Sequence, residues 1–489
     1  MNFRGKRVLV TGVGVTSDSV VPALARLGAE VVVFERSKTS NWGAANKWLE
    51  DSGRLPALRA AGATVLLDSS DDLPPGIDVV VTSPGWPPSD PLLGSARAAG
   101  LEVFSEPELA WRVRPPSAAP WLAVTGTNGK TTTTLMLAGM LAAANLRTVA
   151  AGNIGTRNLI DVVLGDDVYD AVAVELSSFQ LEWSSTLAPL AGAVLNLAED
   201  HLDWHGGFDP YAAAKAKLWT SPETIAIGNL DDPRVAAMLA GAAGRKVGFR
   251  LGPPEPGELG VVGDVLVDRA FGHSVVLAHV SDVRPVGPHN VANALAAAAL
   301  ARAYGVAPDA VAAGLQSYTP AAHRSRDLGV VDGVRYVDDS KATNPHATVA
   351  ALRAYDRVTW IAGGMLKIDP DPLVETVADV LGAAVLLGRD RDALAIAIRK
   401  FAPDVPVVRV GDGPEDEVRV PSAGRSKAEY AADVMTAAVR AAASAAGRAV
   451  GGGEAEPTVL LAPAADSRDM FQDYADRGDA FAAAVESLR

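Results

Sequence analysis

Val124-Thr125-Gly126-Thr127-Asn128-Gly129-Lys130-Thr131-Thr132 is the stretch on which the reading of this chain turns. The apolar run Trp121-Leu122-Ala123-Val124 before it predicts a buried strand, and residues 133–145, rich in Leu, Met and Ala, predict a helix. A glycine-rich turn between such elements aims backbone N–H groups outward at a helix N-terminus, where the helix dipole favours an anion. Lys130 adds a point charge for phosphate and Thr131 a hydroxyl for Mg²⁺. The loop Gly126–Thr132 therefore reads as a nucleoside triphosphate site, with an ordinary glycine turn as the alternative.

The bulk numbers set the frame. A chain of 489 residues predicts about three domains. Apolar content of 48% and charged content of 21% are ordinary for a globular protein. The net charge of −14 argues against general nucleic-acid binding and against an anionic membrane surface. With no cysteine, disulfides, zinc-thiolate sites and a cysteine nucleophile are excluded. The first residues lead straight into an apolar strand with no signal-peptide pattern. The nearest approach to a membrane span, residues 291–304, is too short and carries Asn293 and Arg302. A soluble, cytoplasmic enzyme without membrane insertion is expected.

Outward from the loop, the chain alternates strand and helix. Residues 6–11, 19–27 and 30–34 predict a βαβ unit with a Gly12-Val13-Gly14 turn. Glu35 ends its second strand, where dinucleotide-binding folds hold a ribose, but Ser17 stands in place of the third fingerprint glycine. NAD binding and a plain tight turn both remain open there. A strand at 77–82 runs into Ser83-Pro84-Gly85, a strand and helix follow at 102–105 and 106–113, and 114–120 is a proline-rich linker.

In the central part, strands are expected at 171–175, 192–196 and 224–228 and helices at 211–219 and 290–304. The Gly/Val-rich segment 244–279, with β-like runs at 261–267 and 274–278, predicts a small antiparallel sheet attached to the central one. After a boundary at 315–320, strands are expected near 334–338, 357–362, 383–387, 405–410 and 458–461, with helices at 371–381, 392–401 and 426–446 and a loop over 447–457. The expected fold class is α/β in three domains. Residues 1–115 would be Rossmann-like, 120–318 a P-loop ATPase-like parallel sheet with the small antiparallel sheet, and 320–489 again Rossmann-like.

Several positions carry chemistry. Glu175 ends a strand, where NTPases hold Mg²⁺ or polarise water. Asn196-Leu197-Ala198-Glu199-Asp200-His201 continues to Asp203 and His205, which suits a metal site, a general base or a polar loop. Lys215 and Lys217 share a helix and read as a solvated face, with phosphate neutralisation or modification as the sharper alternative. Asn290 and Asn293, three apart beside His289, share one helix face and suit a cap or an adenine edge. Arg324, after the second linker, suits a phosphate-binding arginine of a closing domain. Asp338-Asp339-Ser340-Lys341-Ala342-Thr343-Asn344 packs acid, amine and hydroxyl into one turn.

Together these motifs resemble the Mur ligase family, the ATP-dependent amino-acid ligases of peptidoglycan precursor synthesis. The marks run in order through Gly126–Thr132, Gly152-Asn153-Ile154-Gly155, Glu175-Leu176-Ser177-Ser178-Phe179-Gln180, Glu199-Asp200-His201, His289–Asn293, His323-Arg324 and Asp339–Asn344, nearly the whole chain. Ser83-Pro84-Gly85, Glu175–Glu182 and the tail from Leu461 to Phe481 are similar to the D-glutamate-adding members, and the Asp-Asn-Pro-Arg motif of diaminopimelate- or lysine-adding members is absent.

The resemblance implies that the carboxylate of UDP-MurNAc-L-Ala attacks the γ-phosphate of ATP and that D-glutamate then displaces phosphate. It implies two Mg²⁺ sites, with Thr131 and Glu175 at the first and His201 and a carbamylated Lys215 at the second. Lys217 gains no role from it. It places Gly126, Thr127, Asn128, Gly129, Lys130, Thr131, Thr132, Asn290, Asn293, Arg324, Asp339 and Lys341 around ATP, with Arg324 also in the catalytic set. It places Asn153 and Gln180 against the muramoyl-alanine part, and Thr343, Lys367, Ser467 and Tyr474 around D-glutamate. Val15, Thr16, Glu35, Arg36, Ser83 and Gly85 fall in the uridine diphosphate pocket, so the first domain would bind UDP rather than NAD. A monomer is expected.

The chain departs from the family pattern at Met365-Leu366 before Lys367, at Glu35-Arg36, at Arg468 and over 447–457. Two rivals are weighed beside it. A folylpolyglutamate synthase-like ligase would lack the first domain, and an NAD-binding or regulatory protein would use Gly12-Val13-Gly14.

Overall fold

A computed structural model describes residues 1–36, 52–68, 71–449 and 457–489. Valine-rich and alternately buried runs form three sheets. The first is wholly parallel: β1 (Arg7–Thr11), β2 (Glu30–Arg36), β3 (Thr64–Asp68), β4 (Val79–Thr82) and β5 (Glu102–Ser105) stand in the order β3-β2-β1-β4-β5. The chain reverses its lateral direction between β1 and β4, and an open α/β sheet offers its ligand crevice at such a reversal, beyond the strand C-termini.

The central sheet has nine strands: β6 (Trp121–Thr125), β7 (Thr148–Gly152), β8 (Ala171–Glu175), β9 (Ala191–Val194), β10 (Ile225–Asn229), β11 (Lys246–Phe249), β12 (Glu258–Val262), β13 (Val265–Asp268) and β14 (Val275–His279). Their order is β14-β13-β12-β11-β10-β9-β6-β8-β7, and β6 is buried along its whole length. The expected small antiparallel sheet is the β12-β13-β14 edge of this same sheet, joined through the parallel pair β11-β12. The run read as one β segment at 261–267 is two strands around Gly263-Asp264, because Gly263 at φ +62° turns the chain back into a hairpin.

The third sheet contains β15 (Arg326–Val331), β16 (Val334–Asp338), β17 (Val358–Gly363), β18 (Leu381–Leu387), β19 (Val407–Gly411), β20 (Val418–Arg419) and β21 (Thr458–Leu461) in the order β15-β16-β21-β17-β18-β19-β20. It is parallel apart from β15. β21, last in sequence, slots between β16 and β17, so the loops leaving those three strands are neighbours. The loop expected over 447–457 is helical as far as Ala449, and 450–456 lie outside the described residues.

The chain gathers into two compact units, Met1–Asp282 with Ala292–Tyr318, and Val283–Val291 with Thr319–Arg489. The first unit holds the first two sheets, and one apolar core runs through both, from Val8, Val33 and Phe104 to Trp121, Val174 and Leu218. In the second unit each face of the third sheet has its own core, around Phe481 and Val439 on one side and Trp360 and Leu373 on the other. Among the described residues no helix is long and apolar enough to cross a membrane.

Candidate active site

The loop after β6 closes into a helix that begins at Lys130, three residues earlier than expected. A run of threonines is a poor helix former in isolation, but here it sits in the first turn under a buried strand. Gly129 precedes the helix at φ +84°, and a Cβ there would stand 2.3 Å from the Asn293 Oδ1, so only glycine fits. The loop is braced from several directions. Asn128 N–H donates to Asn196 Oδ1 at 2.8 Å, and Asn196 Nδ2 returns a bond to Asn128 O at 3.1 Å. The Thr127 hydroxyl meets the Tyr211 hydroxyl at 2.7 Å. Lys130 Nζ lies over the loop, donating to the carbonyls of Gly126 and Thr127 at 2.9 Å each. A glycine-rich turn braced at a helix N-terminus, with an ammonium over it, suits a phosphate.

Strand pairing sets Glu175 beside this cradle, since β8 matches Val124 to Glu175. Its two carboxylate oxygens are separately engaged: Thr131 Oγ1 donates to one at 2.8 Å and Asn153 Nδ2 to the other at 2.7 Å. A hydroxyl and a carboxylate next to a phosphate cradle suit Mg²⁺, which takes few protein oxygens and completes its shell with water and phosphate. Among the described residues no three His, Asp, Glu or Cys side chains stand together as a metal-holding group.

On the other side of β6, His201 follows β9 in a left-handed conformation at φ +55°, its Nε2 3.5 Å from Asp200 Oδ2. The Phe179 ring lies 4.7 Å from the His201 ring, and Trp204 and His205 pack against the same phenyl group. His205 is buried, meets Ser178 Oγ at 3.0 Å through Nε2, and is pushed down to about 4 by desolvation and then by Lys215 and His201, which keeps it neutral. It supports His201 through Phe179 rather than adding a charge.

Lys215 is 1% exposed. Its Nζ donates to Gly126 O at 2.8 Å and contacts Thr125 Oγ1 at 3.5 Å. Burial, reinforced by the neighbouring Lys130 charge, pushes this ammonium well below the usual lysine range. The helix Phe208–Ala216 therefore directs Lys215 into the loop rather than to a solvated face. Lys217, two residues on, bonds to the Glu182 carbonyl and pairs with its carboxylate at 3.2 Å.

At the reversal of the first sheet, Val15 and Thr16 open the helix Val15–Arg26, and Ser83 and Gly85 follow β4. Ser83 Oγ donates to Thr11 O at 2.7 Å, which holds the two loops together. Ser17 fills the turn itself, its hydroxyl exchanging bonds with Gly14 N–H and O at 2.9 Å. Glu35 accepts the Val13 N–H at 2.5 Å. Arg36 is clasped by Asp90 and Asp71 and lies over Trp86, its guanidinium carbon 4.9 Å from the ring centre. Gln180 caps its own helix through Ser177, and with Thr16, Pro84 and Phe179 it lines a small cleft that also contains Glu106.

The second unit gathers Asp339, Lys341, Thr343, Lys367, Ser467 and Tyr474 beyond the C-terminal ends of β16, β17 and β21, while Asn290 belongs to the same unit and Asn293 to the first. Asp339 is held by Ser325 Oγ at 3.0 Å and pushed up to about 6 by burial. His323 Nδ1 meets Asp338 Oδ2 at 2.7 Å, and that bond raises its affinity for a proton. Lys341 Nζ lies 3.7 Å from the centre of the Tyr474 ring. Met365, in the loop that leads to Lys367, exchanges backbone bonds at 2.9 Å with Asp466, next to Ser467. Arg468 forks onto Asp466 and, with Lys367 as a smaller influence, holds that carboxyl near 2. Thr343 lies in the turn before the helix Pro345–Leu352, which Asn344 caps. Asn290 Nδ2 meets His289 Nε2 at 2.9 Å, and burial pushes His289 down to about 4.

The sequence singles out Lys130, Thr131, Asn153, Glu175 and Lys215, and the structure brings them together around one loop. Sequence reasoning passes over the Tyr211 hydroxyl, the braces from Asn196, the buried Glu106 and the buried Arg477. A polar residue two after a strand end was the available signal for Asn196; Arg477 lies inside the tail that carries the resemblance but gains no role from it, and Tyr211 and Glu106 carry no signal.

Comparison with known proteins identifies the family. Residues 124–301 match the model of the Mur ligase middle domain. The chain is 49% identical to the UDP-N-acetylmuramoylalanine–D-glutamate ligase of Thermobifida fusca, with all of both chains covered. It is 50% identical to the ligase of the same name from Frankia casuarinae, covering 100% of this chain and 95% of the relative. Among solved structures, MurF of Acinetobacter baumannii shares the fold at a TM-score of 0.57 and 16% identity, with 98% of this chain and 93% of that one covered. The chain belongs to the Mur ligase family, within its UDP-N-acetylmuramoylalanine–D-glutamate ligase branch.

Proposed function

We propose that the protein joins D-glutamate to UDP-N-acetylmuramoyl-L-alanine at the expense of ATP, in peptidoglycan precursor synthesis. Full-length identity of 49–50% to ligases of that name carries the reading. The loop geometry supports it, because Lys130 and the backbone amides neutralise charge on a transferring phosphoryl group. The substrate's alanyl carboxylate attacks the γ-phosphate, giving an acyl phosphate and ADP. The amine of D-glutamate then attacks the acyl carbon, phosphate leaves, and the amine loses a proton as the amide forms.

Thr131 and Glu175 would hold one Mg²⁺, and His201 with Lys215 a second. When bound, these ions supply charge neutralisation at the phosphates. Lys215 suits carbamylation: burial shifts this amine toward its neutral form, the form that adds CO₂, and the product would bring a carboxylate beside the cradle. Residues 1–115, with Val15, Thr16, Glu35, Arg36, Ser83 and Gly85, are read as the UDP-binding domain. The helix N-terminus at Val15 suits a diphosphate. Asn153 and Gln180 are read as muramoyl-alanine contacts. Residues 120–318 are read as the ATP domain and 320–489 as the D-glutamate domain, with Asn290, Asn293, Arg324, Asp339 and Lys341 as further ATP-binding residues and Thr343, Lys367, Ser467 and Tyr474 around D-glutamate. We read the enzyme as a cytoplasmic monomer acting on small molecules.

The test is phosphate release from ATP with each substrate omitted in turn. Release is expected only with both the UDP-linked substrate and D-glutamate present. Release indifferent to either would refute the ligase reading.

A further inference from the structure

Arg477 is 0% exposed, and its guanidinium lies at the C-terminal ends of β16, β17 and β21. Its Nε donates to Ser340 Oγ at 3.0 Å and one terminal nitrogen to Ser340 O at 2.9 Å. The other terminal nitrogen reaches Ala465 O at 3.2 Å and Gly363 O at 3.5 Å. Ser340 passes the link on, donating from Oγ to Tyr474 O at 2.7 Å. One side chain thus touches the loops leaving β16, β17 and β21 and, through Ser340, the start of its own helix. Those four segments carry Thr343, Lys367, Ser467 and Tyr474 in turn.

Burying a guanidinium costs heavily unless its donors are satisfied. Here the direct acceptors are neutral, while Asp338, Asp466 and Asp469 favour the charge from farther away. A planar fork with five donors can span three loops at fixed angles, which a lysine cannot. The glycines beside it leave no slack. A Cβ on Gly363 would stand 1.9 Å from Leu387 O, and one on Gly364 2.3 Å from Asp466 O.

The geometry points to Arg477 as the positioning residue of the amino-acid pocket, fixing the mutual placement of Thr343, Lys367, Ser467 and Tyr474. The inference rests on the D-glutamate reading of those four positions. Because the loops Arg477 touches carry no residue read as contacting the UDP-linked substrate, its loss should separate the Michaelis constants for D-glutamate and for that substrate, whereas a purely structural role would lower the folded fraction and leave both constants in place.

The experiment is steady-state kinetics of Arg477→Lys in the full-length enzyme, with melting followed in parallel. Loss of the fork should raise the KM for D-glutamate about tenfold or more while the KM for the UDP-linked substrate stays within about twofold. Should Arg477→Lys fail to fold, Ser340→Ala, which removes one acceptor and the link to Tyr474, should raise the same KM about threefold. A folded Arg477→Lys with an unchanged KM for D-glutamate, or with both constants raised equally, overturns the role. In the fallback case, an unchanged KM in Ser340→Ala does so. A wild-type enzyme that ignores D-glutamate sinks the functional reading together with this role, whereas a responsive wild type with an indifferent variant sinks the role alone.

Discussion

Lys215 and Arg477 are both buried basic side chains that donate to loop carbonyls at the C-terminal ends of parallel strands, yet they suit opposite tasks. Burial drives the Lys215 ammonium well below its usual range, so the amine is available for chemistry. The same desolvation lowers Arg477 only to about 10, because a guanidinium spreads its charge, and it stays ionised at neutral pH. On the proposed reading the first unit therefore places a convertible group beside the ATP loop. The second places a permanent brace beneath the loops leaving β16, β17 and β21, which we read as the amino-acid pocket. What separates a reactive buried cation from a structural one is less its depth than how readily it gives up its proton.

The largest effect should come from the cradle common to the whole reaction. Lys130→Ala removes the ammonium bonded to the Gly126 and Thr127 carbonyls, and substrate-dependent phosphate release should fall by roughly a thousandfold, read as initial rates at saturating ATP. A fall of less than about tenfold would mean that the amides alone hold the transferring charge.

Lys215→Arg tests the comparison itself. It keeps a buried donor near Gly126 O but cannot be carbamylated, and the rate should fall about a hundredfold. Wild-type activity should also decline in bicarbonate-depleted buffer and recover when bicarbonate is restored. An active Lys215→Arg variant would make Lys215 a brace like Arg477.

A buried acid sharpens the contrast from the other sign. Glu106 accepts the Ile160 N–H at 2.6 Å between the first and central sheets, and desolvation pushes it up to about 7 from 4.5. The folded state therefore holds a proton that the unfolded chain has released. Stability from this group is full below pH 4.5 and is lost as pH rises through 7. Glu106→Gln should remove that slope, gaining on the order of 1–3 kcal/mol over wild type between acid and mildly basic pH in denaturant melts. Parallel pH profiles for the two proteins would refute the shift.

The smallest effect is expected at Lys217. It is half-buried and already paired with Glu182, so Lys217→Ala should change stability by no more than about 0.5 kcal/mol and leave the rate unaltered. A rate loss there would show that charge on this helix face, rather than burial of Lys215, sets the local chemistry.

The cradle was legible in the sequence because its parts are contiguous: strand, glycine turn, lysine and helix occupy residues 121–143. The strand alternation was legible for the same reason, and the misses were short or interrupted strands such as Lys246–Phe249, which contains Gly248. Spacing alone put Lys215 on a solvated face, because its burial depends on a loop 89 residues away. Tyr211 is 84 residues from the threonine it holds, and Arg477 is 137 residues from Ser340. Nothing local marks an arginine as the brace of three loops, since those loops become neighbours only when β21 slots between β16 and β17. The glycine turn at residues 12–14 was ambiguous for a different reason. Ser17 is a side chain that closes the turn on itself, and this becomes visible only in the folded backbone.

The central claim is that this enzyme ligates D-glutamate, and its most direct test is chirality. Incubation with ATP, Mg²⁺ and UDP-N-acetylmuramoyl-L-alanine is followed with D- or L-glutamate as the added amino acid, reading both phosphate release and the mass of the UDP-linked product. The account predicts stoichiometric phosphate and an amide-extended product with D-glutamate, and neither above background with L-glutamate. Equal product from both enantiomers, or phosphate without amide, would contradict it.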